Sequence, residues 1–97
     1  MGTKIWDDGV RSVEAFVEMA QAHPTSSSGK QAASLLLSAI RGQGSCNLSR
    51  MSVFDTYNRQ HALNIINAVG EHKGNFCTHV SQVHSASLRR ISKNIAK

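Results

Sequence analysis

The stretch that decides the fold is Lys30–Gly42, KQAASLLLSAIRG. At about 100° per residue, its apolar side chains spread over an arc of ~200° and leave only a narrow polar strip. A helix on a protein surface needs an apolar stripe of only ~100°. We therefore expect neighbouring helices to contact this helix, at about residues 29–42, from two or three sides. The apolar residues of the arc are Ala32, Ala33, Leu35, Leu36, Leu37, Ala39 and Ile40.

One amphipathic helix and a serine-containing loop precede the central helix. Asp7 or Asp8 is expected to cap a first helix that runs to about Ala22, because acidic side chains suit a helix N-terminus. The serines before the central helix are expected to cap it, with Gln31 three residues after Ser28 in capping-box spacing. The apolar stripe of the first helix consists of Val10, Val13, Phe16, Val17 and Ala20.

The second half of the chain predicts one short and two longer helices. Residues 47–54, NLSRMSVF, have the apolar spacing of a short helical turn folded over the core. Asp55 or Thr56 then caps a third long helix that ends shortly before Gly74, and a last helix starts at about Val80. The third helix has an apolar stripe of Ala62, Ile65, Ile66 and Val69, and the last helix has an apolar face of Val83, Leu88, Ile91 and Ile95.

These segments indicate a single all-α domain over residues 1–97. The chain has 97 residues and 40% hydrophobic content, which suffices for one modest core. We predict a compact bundle of four main helices and one short helix, packed around the central buried helix.

Charge is distributed unevenly along the chain. The formal net charge is +5, with −2 in residues 1–23, +3 in residues 24–54 and +4 in residues 55–97. A basic C-terminal part favours an anionic partner, which is either nucleic acid or an acidic protein surface.

The basic side of the last helix is the principal candidate site. Its cations lie opposite the apolar face without one acid among them, and such groups can neutralise phosphates or match carboxylates. Cations near a helix C-terminus also complement the helix dipole, and this helix has no aromatic side chain for stacking on bases. The candidate binding residues are Arg89, Arg90, Lys93 and Lys97, with Arg41 and Arg50 next.

A helix-turn-helix at about residues 34–53 is an alternative binding element. With Gly42 as the turn glycine, residues 34–41 form the first helix and residues 45–53 form the second. Two features disfavour this motif. Ser38 stands where a small apolar residue is preferred, and the wide apolar arc fits a buried helix better than a helix that crosses a DNA backbone. The side chains facing a DNA groove would be Asn47, Ser49 and Arg50.

Three histidines and one cysteine lie close together in the sequence and are candidate metal ligands. The cluster spans thirteen residues and could in principle approach a zinc ion, but its spacing matches no zinc finger, so we predict neither metal nor cofactor. The cysteines are expected to be free thiols in a reducing cytoplasm, with a disulfide between them as the alternative. The cluster consists of His72, Cys77, His79 and His84, and the second cysteine is Cys46.

Catalytic and membrane signals are missing from the sequence. It contains no GxSxG, HExxH or glycine-rich fingerprint, and a small domain with an aliphatic core has little volume for a substrate pocket. No run approaches 18 apolar residues, and residues 6–8 are Trp-Asp-Asp where a secretory leader would be apolar. We therefore expect a non-enzymatic cytoplasmic protein with no membrane partner.

Three segments resemble a known protein family. They are VRSVEAFVEMA (residues 10–20), SGKQAASLLLSAI (residues 28–40) and NRQHALNIINAV (residues 58–69). Their order is similar to that of small helical proteins of unknown function carried on bacterial plasmids, integrated elements and phages, over about residues 10–70. That family defines no functional residue, so the resemblance implies only a context, an accessory protein of a mobile element.

The context and the charge pattern together suggest a function. Small non-enzymatic proteins of mobile elements often resemble host-defence inhibitors, such as anti-CRISPR proteins, or regulators. We expect an inhibitor or modulator of a host nucleoprotein machine, with a host protein, a nucleoprotein complex or its nucleic acid as the partner. The alternative is a DNA-binding transcriptional regulator that uses the helix-turn-helix. The oligomeric state stays open, and a dimerisation or scaffold module is a third reading.

Overall fold

The computed structural model describes residues 2–42, 46 and 48–96. Over these ranges the chain forms four α-helices and one 3-10 helix, without strands. The elements are α1 (Gly2–Ala22), α2 (Ser27–Ile40), the 3-10 helix (Leu48–Val53), α3 (Thr56–Val83) and α4 (Ser85–Ala96). The prediction of an all-α bundle with four main helices and one short helix is confirmed.

The helix α2 is the element around which the others pack. It contacts α1, α3, α4 and the 3-10 helix, and Leu36 at its centre is fully buried. The predicted central buried helix is therefore confirmed. Gly42 follows the C-cap with a φ of 63°, a left-handed conformation that favours glycine and stops the helix. The buried residues of α2 are Gly29, Gln31, Ala32, Ala33, Leu35, Leu36, Leu37 and Ile40.

The start of α2 differs from the predicted capping box. The hydroxyl oxygen of Ser26 accepts a hydrogen bond from the backbone N–H of Gly29 at 2.9 Å, so Ser26 is the N-cap. The Ser28 hydroxyl instead donates to the carbonyl oxygen of Val53 at 3.3 Å. Because the Gln31 side chain is buried in the core rather than folded back on the cap, the predicted Ser28–Gln31 box is wrong.

The first helix is longer than predicted. It begins at Gly2 rather than at Asp7 or Asp8. Ile5 and Trp6 pack against the core, so their burial extends the apolar stripe by one turn and stabilises the additional helix. The predicted stripe itself is largely confirmed, since four of its five residues are buried: Val13, Phe16, Val17 and Ala20.

The third helix does not end before Gly74. It continues to Val83, because Phe76 and Val80 are buried on the same side and hold the helix against the core. A glycine inside a helix costs only about 1 kcal/mol relative to alanine, less than the burial of one large apolar side chain contributes. The predicted start of the last helix at Val80 is wrong for the same reason, and α4 begins at Ser85.

Two residues assigned to buried faces are exposed. Ile66 is 41% exposed, and the buried stripe of α3 instead runs through Ala62, Ile65 and Ala68. Val83 is 60% exposed because it is the last residue of α3 and does not belong to the apolar face of α4. The predicted cap of α3 is confirmed: an Asp55 carboxylate oxygen accepts from the Asn58 backbone N–H at 2.8 Å.

Candidate functional site

Three described cations share the exposed side of α4. Leu88 and Ile91 are 0% and 1% exposed and anchor this helix in the core. At 100° per residue, the three cations fall within a sector of ~100° on the opposite side. We call this sector the cationic face; it consists of Arg89, Arg90 and Lys93, all exposed. Lys97, the fourth predicted residue, lies outside the described residues.

No carboxylate neutralises the cationic face among the residues that the structure describes. The three side chains have neither a hydrogen bond nor an ion pair there. The acids lie on other elements: four are on α1, one caps α3 and one lies within α3. The face therefore keeps its positive charge available to an external anion. These acids are Asp7, Asp8, Glu14, Glu18, Asp55 and Glu71.

The structure separates the two additional arginine candidates. Arg41 is the exposed C-cap of α2 and directly follows Ile40, which lines the same groove as Ser85 at the start of α4. Arg50 is exposed on the 3-10 helix. This helix lies at the other end of α2, where the Ser28 hydroxyl donates to the carbonyl oxygen of Val53. Ser28 and Arg41 are thirteen residues apart, about 20 Å along the helix. Arg41 thus follows a residue that lines this groove, whereas Arg50 lies on an element at the opposite end of α2.

A groove of about 560 Å³ opens where α2 ends and α3 turns into α4. Its apolar part comes from Ile40 and from Cys77, whose Sγ donates to the carbonyl oxygen of Ala39 at 3.4 Å. Burial raises the pKa of the Cys77 thiol, so this thiol is a poorer nucleophile at neutral pH than an exposed one. The remaining lining residues are Thr78, Ser81, Gln82 and Ser85. The sequence did not reveal this groove, because three separate elements build it.

In the described part of the predicted helix-turn-helix, a 3-10 helix takes the place of the second α-helix. Residues 48–53 form a 3-10 helix of six residues, where an α-helix over residues 45–53 was predicted. Ser49 and Arg50 are exposed, while residue 45 and Asn47 lie outside the described residues. Recognition helices of this motif are α-helices that enter the major groove, and 3-10 helices occur as short connecting pieces. The predicted α-helical reading element at this position is therefore wrong.

The four residues of the histidine and cysteine cluster lie in three different environments. His72 and His79 contact the indole of Trp6, with ring-centroid distances of 5.1 and 5.2 Å. Cys77 lines the groove, and His84 is the C-cap of α3. Across the described part of the chain, no group of three or more potential ligands is placed to hold a metal ion. Both cysteines are free thiols.

A partly buried polar network joins α1 and α3, and no spacing in the sequence predicts it. The Ser12 hydroxyl oxygen lies 2.8 Å from Nδ1 of His61 and accepts from the Asn64 side-chain amide at 3.1 Å. A serine beside a histidine suggests nucleophilic catalysis, but Ser12 is 0% exposed, so a substrate cannot reach its hydroxyl. The network instead satisfies polar groups at the contact between these helices.

Comparisons with known proteins identify no relative of this chain. No protein-family model matches the chain, and no curated protein or solved structure is significantly similar to it. None of the described helices is both long and apolar enough to cross a membrane. The cationic face and the adjoining groove are therefore the features from which a function can be argued.

Proposed function

We propose that this chain is a non-enzymatic binding protein of a mobile element that inhibits or modulates a host nucleoprotein machine, in the manner of an anti-CRISPR protein. The observation that supports this proposal is the cationic face, which no described carboxylate neutralises. A nucleoprotein machine presents phosphates and acidic protein surfaces, both of which match such a face. Occupying one of these surfaces requires no chemistry from the inhibitor.

The anchoring of α4 supports a role in binding. Leu88 and Ile91 fix the helix against the core, so the cations on its other side have a preset spacing. Binding then avoids the entropic cost of ordering a flexible basic tail, which would weaken the complex. Like charges on a rigid face also speed the encounter with an anionic partner.

The transcriptional-regulator alternative has weaker support. Its reading element is the six-residue 3-10 helix, which is too short to place several side chains along a DNA groove. The helix that would lie beneath it, α2, is largely buried against three other helices. We therefore place the contact on α4 rather than on residues 34–53.

Charge reversal on α4 tests the proposed function. The substitutions Arg89→Glu, Arg90→Glu and Lys93→Glu should abolish inhibition, because they replace attraction to an anionic partner by repulsion. The measurement is phage plating on a bacterium that carries an active CRISPR system and expresses the chain. The unchanged chain should restore plating, and the triple variant should not.

A control variant distinguishes the effect of the cationic face from the effect of the total net charge. Lys4→Glu, Arg11→Glu and Lys30→Glu make the same change in charge at exposed positions on α1 and α2, and this variant should keep its effect on plating. Circular dichroism checks that both variants retain their helix content. The proposal fails if the unchanged chain does not alter plating, or if both variants lose the effect equally.

A further inference from the structure

We propose that the groove between the end of α2 and the α3–α4 corner binds phosphodiester groups, so that nucleic acid is the direct target. We define the phosphate groove by its lining residues Ile40, Cys77, Thr78, Ser81, Gln82 and Ser85. The inference rests on the proposed function, in which an anionic partner docks on α4, and it specifies the chemistry of that partner.

The polar lining of the phosphate groove offers unused hydrogen-bond donors. Within the described part of the chain, none of its hydroxyl or amide side chains has a hydrogen-bond partner. The Ser38 hydroxyl on α2, in contrast, donates to the carbonyl oxygen of Leu35. Four unpaired donor groups that line one open space can therefore serve a ligand with several acceptor oxygens. These groups belong to Thr78, Ser81, Gln82 and Ser85.

Two arginines lie close in sequence to lining residues of the phosphate groove, one at the end of α2 and one on α4. Arg41 follows the lining residue Ile40, and Arg89 lies one helical turn beyond the lining residue Ser85. Both arginines are exposed, and no acid lines the groove among the described residues. A guanidinium group can donate two parallel hydrogen bonds to a phosphate, which gives the site both charge and direction.

The composition favours a phosphodiester backbone over an acidic peptide. Contacts to nucleic-acid backbones come mainly from arginine and lysine, from serine, threonine and glutamine side chains, and from helix N-termini. The groove supplies the serine, threonine and glutamine side chains, and Ser85 is the first residue of α4. No aromatic residue lines it, so the structure assigns contact to the backbone and not stacking on bases.

Ser85 of the groove and two residues of the cationic face, Arg89 and Lys93, follow one another at four-residue spacing along one side of α4. From Ser85 to Lys93 the helix α4 advances by about 12 Å, at 1.5 Å per residue. One strand of a duplex has a phosphate every ~3.4 Å along its axis, so this path is long enough for about three or four phosphates. A strand that enters at the groove would therefore meet a cation at each successive turn of α4.

Cys77 provides a direct readout of occupancy. In a Cys46→Ser background it is the remaining cysteine, so its modification by a disulfide reagent such as DTNB reports on access to the groove. Single-stranded or duplex DNA of about 20 nucleotides should bind and slow this modification severalfold. With four contacting cations, a fourfold rise in salt concentration should weaken binding about 50-fold for single-stranded DNA and about 150-fold for duplex DNA. Polyglutamate of equal charge should bind weakly and leave the modification rate unchanged.

Removing two donors without changing charge tests the groove itself. Thr78→Val together with Ser81→Ala should weaken DNA binding by about 10-fold, because hydrogen bonds to a charged acceptor are lost. The control Thr25→Val with Ser52→Ala removes the same groups at exposed positions outside the groove and should leave binding unchanged. Circular dichroism should show equal helix content in the unchanged chain and in both variants.

The outcomes separate this inference from the proposed function. The inference is overturned if DNA does not bind, if it binds without slowing Cys77 modification, or if polyglutamate protects Cys77 equally well. In that case, restored phage plating would still support the proposed function with an acidic protein surface as the target. DNA binding and Cys77 protection without any effect on plating would support the groove and contradict the proposed function.

Discussion

The helices α2 and α4 pack against each other but use their residues in opposite ways. Eight of the fourteen residues of α2 are buried, and it contacts every other helix described. On α4, Leu88 and Ile91 are the buried side chains among those described, and the opposite side is charged. The comparison teaches that the core depends on α2, whereas the exposed side of α4 is free for the binding role proposed above. Substitutions in α2 should change the free energy of unfolding, and substitutions on the exposed side of α4 should change binding.

The largest effect is expected from a cavity in α2. Leu36→Ala removes a fully buried side chain at the centre of the bundle and should lower the free energy of unfolding by about 2–5 kcal/mol. Urea denaturation measures this change, and the folded fraction should bind its partner as before. A loss below about 1 kcal/mol would contradict the central position of α2.

A smaller effect is expected at the first turn of α2. A Cβ atom at position 29 would overlap the carbonyl oxygen of His23, which is backbone and cannot move away cheaply. Gly29→Ala should therefore lower the free energy of unfolding by about 1–3 kcal/mol, in spite of its better helix propensity. The matched control is Gly70→Ala on α3, where no atom lies within 4 Å of the added carbon. This control should raise stability by up to about 1 kcal/mol, and equal changes in both variants would refute the steric argument.

The smallest stability effect is expected on α4. Arg90→Gln removes an exposed cation that has no ion pair among the described residues, so the free energy of unfolding should change by less than about 0.5 kcal/mol. Thermal unfolding followed by circular dichroism measures it. A loss of more than about 1 kcal/mol would mean that Arg90 supports the fold, and the division of roles between α2 and α4 would no longer hold.

The features that sequence predicted well are those encoded within one helix. The broad apolar arc of α2 and the opposition of cations to Leu88 and Ile91 on α4 both follow from residue spacing along a single helix. The side chains exposed on α4 could therefore be named in advance. What they bind is not encoded in that spacing, and it stays a prediction until tested.

The features that sequence missed depend on contacts between distant segments. The Ser12–His61 hydrogen bond joins residues 49 positions apart, so no local pattern indicates it. Gly74 predicts a helix stop because glycine commonly follows the last residue of a helix, but the burial of Phe76 holds α3 together beyond it. The phosphate groove requires the end of α2 to meet the α3–α4 corner, which only the folded chain shows.

The placement of Trp6 gives the protein an intrinsic optical signal. It is the sole tryptophan of the chain and lies on α1 in ring contact with α3, through His72, Phe76 and His79. Separation of the two helices would transfer the indole to water and shift its fluorescence emission to longer wavelength. Because this indole does not line the phosphate groove, its emission should follow unfolding and stay constant while ligand is added. One unlabelled sample could then report both whether the chain is folded and whether binding disturbs the fold.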